Sequence, residues 1–353
     1  MPNEHDLGSR TLKDIAEFWM VSDANSVWSD GGFDWWPGDF RVSVRAHRRQ
    51  DNEVPETWWI RISTDFLKDV PVDDARFVSL AATTSRFFTS TYAWVYPPAE
   101  IWAKHGEKGV RPGLWFSNSG YVTSANIDWL PFFLARMSIM QPINAQIQAK
   151  GMPKMLMKGL PDVSRPERLR RARFDEILEI AAQVYVPMGR EESRWIGTGE
   201  FSKIAENWGR SNLCFGNGDA HGLTLEASIG EDTALIRLRT DEKHPQLGHG
   251  LLATLQLPHF AQDKEICEQC ASLNYMESLW TDIPQLGCWH PHRSRGDVDG
   301  LAFSSFVPNA LHESGIATHA ALWMLQRLGW VHDLMWPDLE DKPIEHILRR
   351  RLS

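Results

Sequence analysis

The residues of this chain whose types and spacing suit them to chemistry gather in its second half: Cys267-x-x-Cys270, Cys288, His290 and His292. Thiolates and imidazoles at such intervals are the ligands of a tetrahedral zinc site. A closed zinc site needs four converging ligands, and a single Cys-x-x-Cys supplies only two of them. Cys267 and Cys270 also fall in a segment, Asp263 to Trp280, whose apolar positions continue through Leu273 and Met276. Helical spacing turns both toward a core as small hydrophobes. A position inside a helix, away from its N-terminus, equally argues against a thioredoxin-like redox pair. Asn217-Gly218-Asp219-Ala220-His221-Gly222 has the residues of a metal-dependent hydrolytic loop, but lacks the further Asp and His clusters such a site requires. It reads as a tight turn leading into a strand. His312-Glu313 and His319 read as solvated or capping groups, and no G-x-S-x-G, Walker loop or G-x-G-x-x-G occurs. The sequence names no catalytic residue, no metal ligand and no cofactor. A metal-dependent enzyme built on the second-half Cys and His residues stands as the alternative reading.

The tryptophans divide between packing, the main reading, and an exposed recognition surface. There are 17 of them against 5 tyrosines, and Trp28, Trp35, Trp36, Trp58, Trp59, Trp94, Trp102 and Trp115 all fall in the first third. Large aromatics suit a pleated, half-buried surface, so packing accounts for most of them. Two adjacent pairs stand apart. Neighbouring residues in an extended strand point to opposite faces, so one member of Trp35-Trp36 and one of Trp58-Trp59 face away from any covering helix. Trp35, Trp36, Trp58 and Trp59 are therefore the candidate partner-binding residues, because uncovered rings form the apolar patches that mark binding sites. The competing reading covers that patch with the other domain or with the stretch from 151 to 194. Carbohydrate binding by exposed rings is a third reading.

These groups need elements to position them, and the composition says what kind of chain supplies them. At 353 residues and 40.4 kDa the chain exceeds one ordinary core and fits two. With 42% hydrophobic and 24% charged residues it folds rather than remaining disordered. A formal charge of −9 lacks the basic face that displaces counterions from nucleic acid. The most apolar stretch, Trp129 to Met140, contains Pro131 and Arg136 and is far shorter than the ~20 residues a membrane span requires. The polar start from Met1 to Arg10 does not read as a secretory signal, and four cysteines are too few for a disulfide framework. The expectation is a soluble, cytoplasmic chain with reduced thiols.

An internal duplication organises the rest. Leu12, Ile15, Ala16 and Trp19 form an i, i+3, i+4, i+7 stripe, repeated by Phe201, Ile204, Ala205 and Trp208 at an offset of 201 − 12 = 189. Gly113-Leu114-Trp115-Phe116-Ser117 returns as Gly300-Leu301-Ala302-Phe303-Ser304, offset 300 − 113 = 187. Between these anchors, strands at Val27 to Trp36, Phe40 to Arg49 and Thr57 to Leu67 parallel those at Gly222 to Ile229, Thr233 to Thr240 and Gly250 to Leu257. Pro71 and Pro258 close the two meanders, and helices follow at Asp73 to Phe88 and Asp263 to Trp280. Further strand segments come at Thr91 to Trp102 and Leu286 to His292, then the Gly-Leu-x-Phe-Ser strand. Terminal helices span Asn126 to Gln148 and Thr318 to Leu334. A rival register, Ile60 to Asp65 against Ile236 to Asp241, would leave Gly250 to Leu257 without a counterpart. The fold class is α+β: two tandem α-β-β-β-α-β-β-α domains, each a five-stranded antiparallel sheet with helices mainly on one face. Their bounds are 1–150 and 195–353. The linker, 151–194, carries a helix from Pro166 to Val184 whose stripe is Phe174, Ile177, Leu178 and Ala181.

In this element order, and in the segment Gly300-Leu301-Ala302-Phe303-Ser304-Ser305-Phe306-Val307-Pro308-Asn309 with its weaker copy from Gly113 to Tyr121, the chain resembles the superfamily of YbjN-like proteins and type III secretion chaperones. The resemblance covers both halves, is topological, and transfers no binding residue. It implies a non-enzymatic, chaperone-like role toward a protein or peptide held in extended form. A tandem chain then stands as a pseudo-dimeric monomer, or as a homodimer. The tryptophan-rich strands depart from typical secretion chaperones.

Overall fold

A computed structural model describes residues 6–49, 56–67, 78, 92–96, 113–151, 169, 174–184, 192–209, 215–229, 232–245, 247–258, 263–280, 283–294 and 297–335. The expected helix at Asp73 to Phe88, Pro71, Trp102 and Cys214 lie outside the described residues, as does most of the linker. Packing divides the chain into two compact units. One contains Met1–Val184 with Ala271–Cys288, the other Tyr185–Cys270 with Trp289–Ser353.

The first unit opens with α1 (Leu7–Phe18), capped by Asp6, whose carboxylate accepts the Ser9 N–H at 2.7 Å. Its apolar stripe is buried as expected: Leu12, Ile15, Ala16 and Trp19 are all 6% exposed or less. The strands β1 (Ser26–Ser29), β2 (Gly32–Trp35), β3 (Val42–Arg48), β4 (Trp58–Leu67), β5 (Ala93–Val95) and β6 (Leu114–Val122) form one antiparallel sheet in the order β1-β2-β3-β4-β6-β5. The expected single strand from Val27 to Trp36 is a hairpin. Asp30-Gly31 turns the chain between β1 and β2, with Gly31 at φ +81°, a left-handed conformation that glycine adopts without steric cost.

Side chains alternate cleanly across this sheet. Ile60, Ile62, Thr64 and Phe66 of β4 are buried on the helix side, together with Val42, Val44 and Ala46 of β3. Beyond β6, α2 (Leu130–Ser138) and α3 (Met140–Gly151) replace the expected continuous helix from Asn126 to Gln148. Pro142 has no N–H to return to the carbonyl four residues back, so the ladder is interrupted just ahead of it. Neutral polar struts join these helices to the sheet: Thr64 Oγ1 donates to Gln141 at 3.0 Å, Asn118 Nδ2 to Ser138 Oγ at 3.0 Å, and Asn144 Nδ2 to the Tyr92 hydroxyl at 2.6 Å. The next helix, α4 (Phe174–Val184), buries Ile177, Ile180 and Ala181, while Leu178, expected in the stripe, is 43% exposed.

The second unit follows the same plan. After α5 (Glu200–Gly209) come β7 (Phe215–Gly218), β8 (Gly222–Ile229), β9 (Asp232–Arg239), β10 (Lys243–His244), β11 (Gly248–Pro258), β12 (Cys288–Ser294) and β13 (Asp297–Pro308). Their path is β7-β8-β9-β11-β13-β12, with β10 paired to β11. This is the strand order of the first sheet, element for element. Each sheet holds one strand more than expected at its hairpin edge: Val27 to Trp36, expected as one strand, is the β1/β2 hairpin, and β7 precedes the expected strand Gly222 to Ile229, which is β8. The rival register fails: Ile60 to Asp65 lies in β4, whereas Ile236 to Arg239 lies in β9, the counterpart of β3. Helix α6 (Asp263–Trp280) has the expected bounds, and the packing division falls within it, after Cys270. The last helix, α7 (Ile316–Met335), packs on β9 and β11 and carries the buried Arg327, whose guanidinium lies 3.5 Å from the Phe303 ring centre. Among the described residues no helix is long and apolar enough to cross a membrane.

The registers confirm the repeat at a level the sequence pattern did not reach. Gly32 pairs with Arg45 and Gly222 with Arg239, at the same place in each hairpin. A Cβ on Gly32 would stand 2.1 Å from the carbonyl oxygen of Val44, and one on Gly222 would stand 2.6 Å from that of Leu238. Both positions therefore exclude a side chain, because what it would meet is backbone. Replacing either glycine by Ala forces the β2-β3 or β8-β9 pair apart and should destabilise its unit by about 2 kcal/mol or more. Urea denaturation of Gly32→Ala and Gly222→Ala checks this, the expected result being a lower midpoint in both.

Candidate functional site

The alternation that buries Ile60, Ile62 and Thr64 puts Trp59, Arg61, Ser63 and Asp65 on the opposite, outer face of the first sheet. Cross-strand pairing then assembles a patch: His47 opposite Trp59, Arg45 opposite Arg61, Ser43 opposite Ser63 and Ser119 opposite Arg61. The outer face over β6 is covered within this unit. The Trp115 ring meets Tyr275 at 6.0 Å, the Ser119 N–H donates to the Gln285 carbonyl at 3.1 Å, and Ser117 and Ser119 are fully buried. Toward β3 the face reaches solvent, and His47 is exposed.

Two arginines there are matched by two aspartates. Arg41 reaches Asp65 at 2.7 Å and Asp34 at 3.9 Å, while Arg45 reaches Asp34 at 2.5 Å and donates to the carbonyls of Phe33 and Val44 at 2.8 and 3.0 Å. Ser43 Oγ completes the set by donating to Asp34 at 2.7 Å. Arg61 is different. Its guanidinium lies 5.6 Å from the Trp59 ring centre, and it makes no hydrogen bond or ion pair among the described residues. Its Nε is sealed from solvent without a partner, and so is the indole Nε1 of Trp59. Two orphaned donors thus stand two residues apart on one face of one strand. Burial lowers the affinity of Arg61 for its proton and neighbouring Arg45 lowers it further, while Asp65 and Tyr275 oppose the shift. His47, its ring tilted against Trp59 at 5.8 Å, is held below 6.5 by burial and by the charges of Arg61 and Arg45.

The four expected partner-binding tryptophans separate. Trp35 and Trp36 are 2% and 5% exposed, and neither presents a ring to solvent. Trp35 stacks on Trp19 at 5.2 Å under α1, and the chain leaves the strand at Trp36, so parity no longer directs that ring outward. Trp58 lies on the helix side, so close to α1 that a Cβ on Gly8 would stand 2.3 Å from its ring. Only Trp59 is on the outer face, half-buried. Arg61 and His47 were not among the expected residues, yet the parity that placed Trp59 outward places Arg61, two positions on, beside it. Elsewhere Trp28 is 44% exposed on the edge hairpin, over Phe33.

Of the second-half Cys and His residues, Cys270, Cys288 and His290 are buried, while Cys267 and His292 are partly exposed. Cys270 and Cys288 are buried, Cys288 in a cluster with Ala93, Val95 and Tyr275 inside the first unit. Both ring nitrogens of His290 have partners, the Pro291 carbonyl at 3.1 Å and Ser304 Oγ at 2.8 Å. Asn217 to Gly222 forms the β7-β8 hairpin, with Asp219 Oδ1 accepting the N–H groups of His221 and Gly222 at 2.7 and 3.0 Å. Among the described residues no group of three or more His, Cys, Asp and Glu is placed to hold a metal ion.

No protein-family model, curated protein or solved structure matches the chain.

The charge arrangement has a consequence for titration. Because His47 binds its proton less readily folded than unfolded, its contribution to stability declines as pH falls through and below 6.5. Removing the Arg61 charge should raise the His47 pKa toward that ordinary value. An NMR titration of the His47 ring in Arg61→Leu measures this directly, and an unchanged midpoint would contradict the proximity described here.

Proposed function

We propose that the chain is a non-enzymatic protein- or peptide-binding protein of the chaperone-like kind its element order resembles, with the outer face of the first sheet as its recognition surface. The observation that carries the reading is a difference between the halves. Phe116 and Phe303 match at 303 − 116 = 187, and their cross-strand partners Thr64 and Leu255 match at 255 − 64 = 191. By the same pairing Arg61, opposite Ser119, corresponds to Leu252, opposite Phe306. Trp59, opposite Tyr121, corresponds to Gly250, opposite Pro308. The scaffold accepts Leu and Gly where the first unit carries Arg and Trp, so the fold itself does not call for either. Large groups that still reach the surface and that folding does not require are what a binding surface contains. Cys267, Cys270 and Cys288 form no disulfide among the described residues, which suits a reducing compartment, and the cytoplasm is the location proposed.

The test is an array of random peptides probed with the full chain. Trp59→Ser should abolish peptide capture while lowering the melting temperature by no more than about 3 °C. Trp28→Ser, which removes an exposed ring on the edge hairpin, should leave capture intact. Capture insensitive to Trp59, or a fully folded chain that captures nothing, sinks the proposal.

A further inference from the structure

Resting on that reading of the outer face, we propose that Arg61, held against Trp59, is the anchor for a carboxylate side chain of an acidic peptide segment.

The arginines on this face outnumber the aspartates that meet them. Arg41 and Arg45 are spent on Asp34 and Asp65, two against two, with every contact between 2.5 and 3.9 Å. Arg61 is left over. A guanidinium taken largely out of water with no counter-ion is costly to hold, and proteins keep such groups paired unless something outside the fold completes them. The Trp59 ring supplies only part of the compensation, because a cation beside an indole gains little at a site that still reaches solvent. The unpaired Nε and the unpaired indole Nε1 of Trp59 add a second, independent sign that acceptors are missing from this face.

Geometry narrows the ligand. The guanidinium carbon of Arg61 lies 5.6 Å from the Trp59 ring centre, and the planar group presents its donors in a rigid fork of the kind that meets a carboxylate with two parallel hydrogen bonds. Nε is closed off from solvent, which leaves Nη1 and Nη2 to meet the ligand end-on. The surplus charge is single, and Asp34 and Asp65 stand nearby. A monoanionic carboxylate neutralises that surplus. A phosphate monoester, with a charge of about −1.5 to −2 at pH 7, would leave excess negative charge facing those two aspartates. Arg45 on the same face is already paired with Asp34 and the chain as a whole carries a formal charge of −9, so the surplus positive charge is that of Arg61. The attraction is therefore local to the patch, and a ligand is selected by how its carboxylate docks. The second unit, with Leu252 and Gly250 at the corresponding positions, offers no such anchor.

The experiment is calorimetric titration of the full chain with N-acetyl-tetraglutamate amide, inorganic phosphate and N-acetyl-tetraglutamine amide, in parallel with Arg61→Leu and Arg61→Lys. Saturable binding of the glutamate peptide that is weakened about tenfold or more in Arg61→Leu is the expected result, with no binding of the glutamine peptide. Leu is the residue the second unit carries at this position, so Arg61→Leu should melt no lower than the parent. Should it fail to fold, Arg61→Lys decides: it keeps the charge and loses the fork, and an affinity equal to the parent's overturns the proposal. Glutamate binding indifferent to Arg61→Leu, or phosphate binding at least as tight and equally dependent on Arg61, also overturns it. If the array peptides bind through Trp59 but the glutamate peptide does not, the anionic anchor is wrong and the recognition surface stands. If neither binds, both fall.

Discussion

The constraint on which the rest of this protein depends is the long antiparallel pairing at the centre of each sheet, β4 with β6 and β11 with β13. Strand side chains alternate with a period of two, so the register of these pairs decides for every neighbouring strand which residues enter the core. A slip of β4 by one position would bury Arg61 and Asp65 against Val44 and Phe116 and turn Ile60 and Ile62 outward. The hairpins lock the register from the edge. Gly32 and Gly222 sit where a side chain would collide with the carbonyl of Val44 or Leu238, so each hairpin fits its neighbour only with a glycine at that point.

Within this shared frame the two units manage polar groups differently. The first fastens its helices to the sheet with neutral struts, Thr64 to Gln141, Asn118 to Ser138 and Asn144 to Tyr92, all inside the core. Each strut satisfies groups that burial would otherwise penalise, and burial holds the Tyr92 hydroxyl well above its usual range despite the Asn144 contact. The second places a whole guanidinium, that of Arg327, against the face of Phe303, with a hydrogen bond to the Trp323 carbonyl at 3.3 Å. The outer faces diverge further still. Arg45 and Arg239 occupy matching positions, but Arg45 turns to Asp34 across the sheet, whereas Arg239 turns to Asp241 and Glu242 along its own chain. Duplication preserved the backbone pairing and left the solvent side free to change. The reason is physical: core side chains answer to packing on all sides, while outward ones answer only to their immediate neighbours.

The cysteines and histidines of the second half show why spacing alone does not define a site. Cys267 and Cys270 are three apart on one helix, yet the packing division falls immediately after Cys270. Cys288 belongs to the apolar cluster of Ala93, Val95 and Tyr275, while His290 gives its ring to Ser304 and Pro291. Ligand types that lie close in sequence are drawn in different directions by the elements that carry them. A metal or redox centre requires convergence of side chains, which depends on tertiary packing.

Periodicity by itself determined a good deal of this protein. Helical stripes placed α1 and α5, alternation placed β3, β4, β8, β9 and β11, and the Gly-Leu-x-Phe-Ser repeat placed β6 and β13, because these patterns record a local choice of buried face. The α+β class and the common order of elements followed from them. Strand parity also placed Trp59 on the outer face, and Arg61 was legible by the same rule. Tertiary structure decided what local pattern cannot encode. It folded the stretch from Val27 to Trp36 into a hairpin, split the helix ahead of Pro142, and sent Trp35 under α1 and Trp58 against Gly8. It also spent Arg41 and Arg45 on Asp34 and Asp65, leaving Arg61 beside Trp59 with no ion pair among the described residues. Charge pairing across strands depends on which residues lie opposite one another, and that is a property of register, settled only when the sheet is assembled.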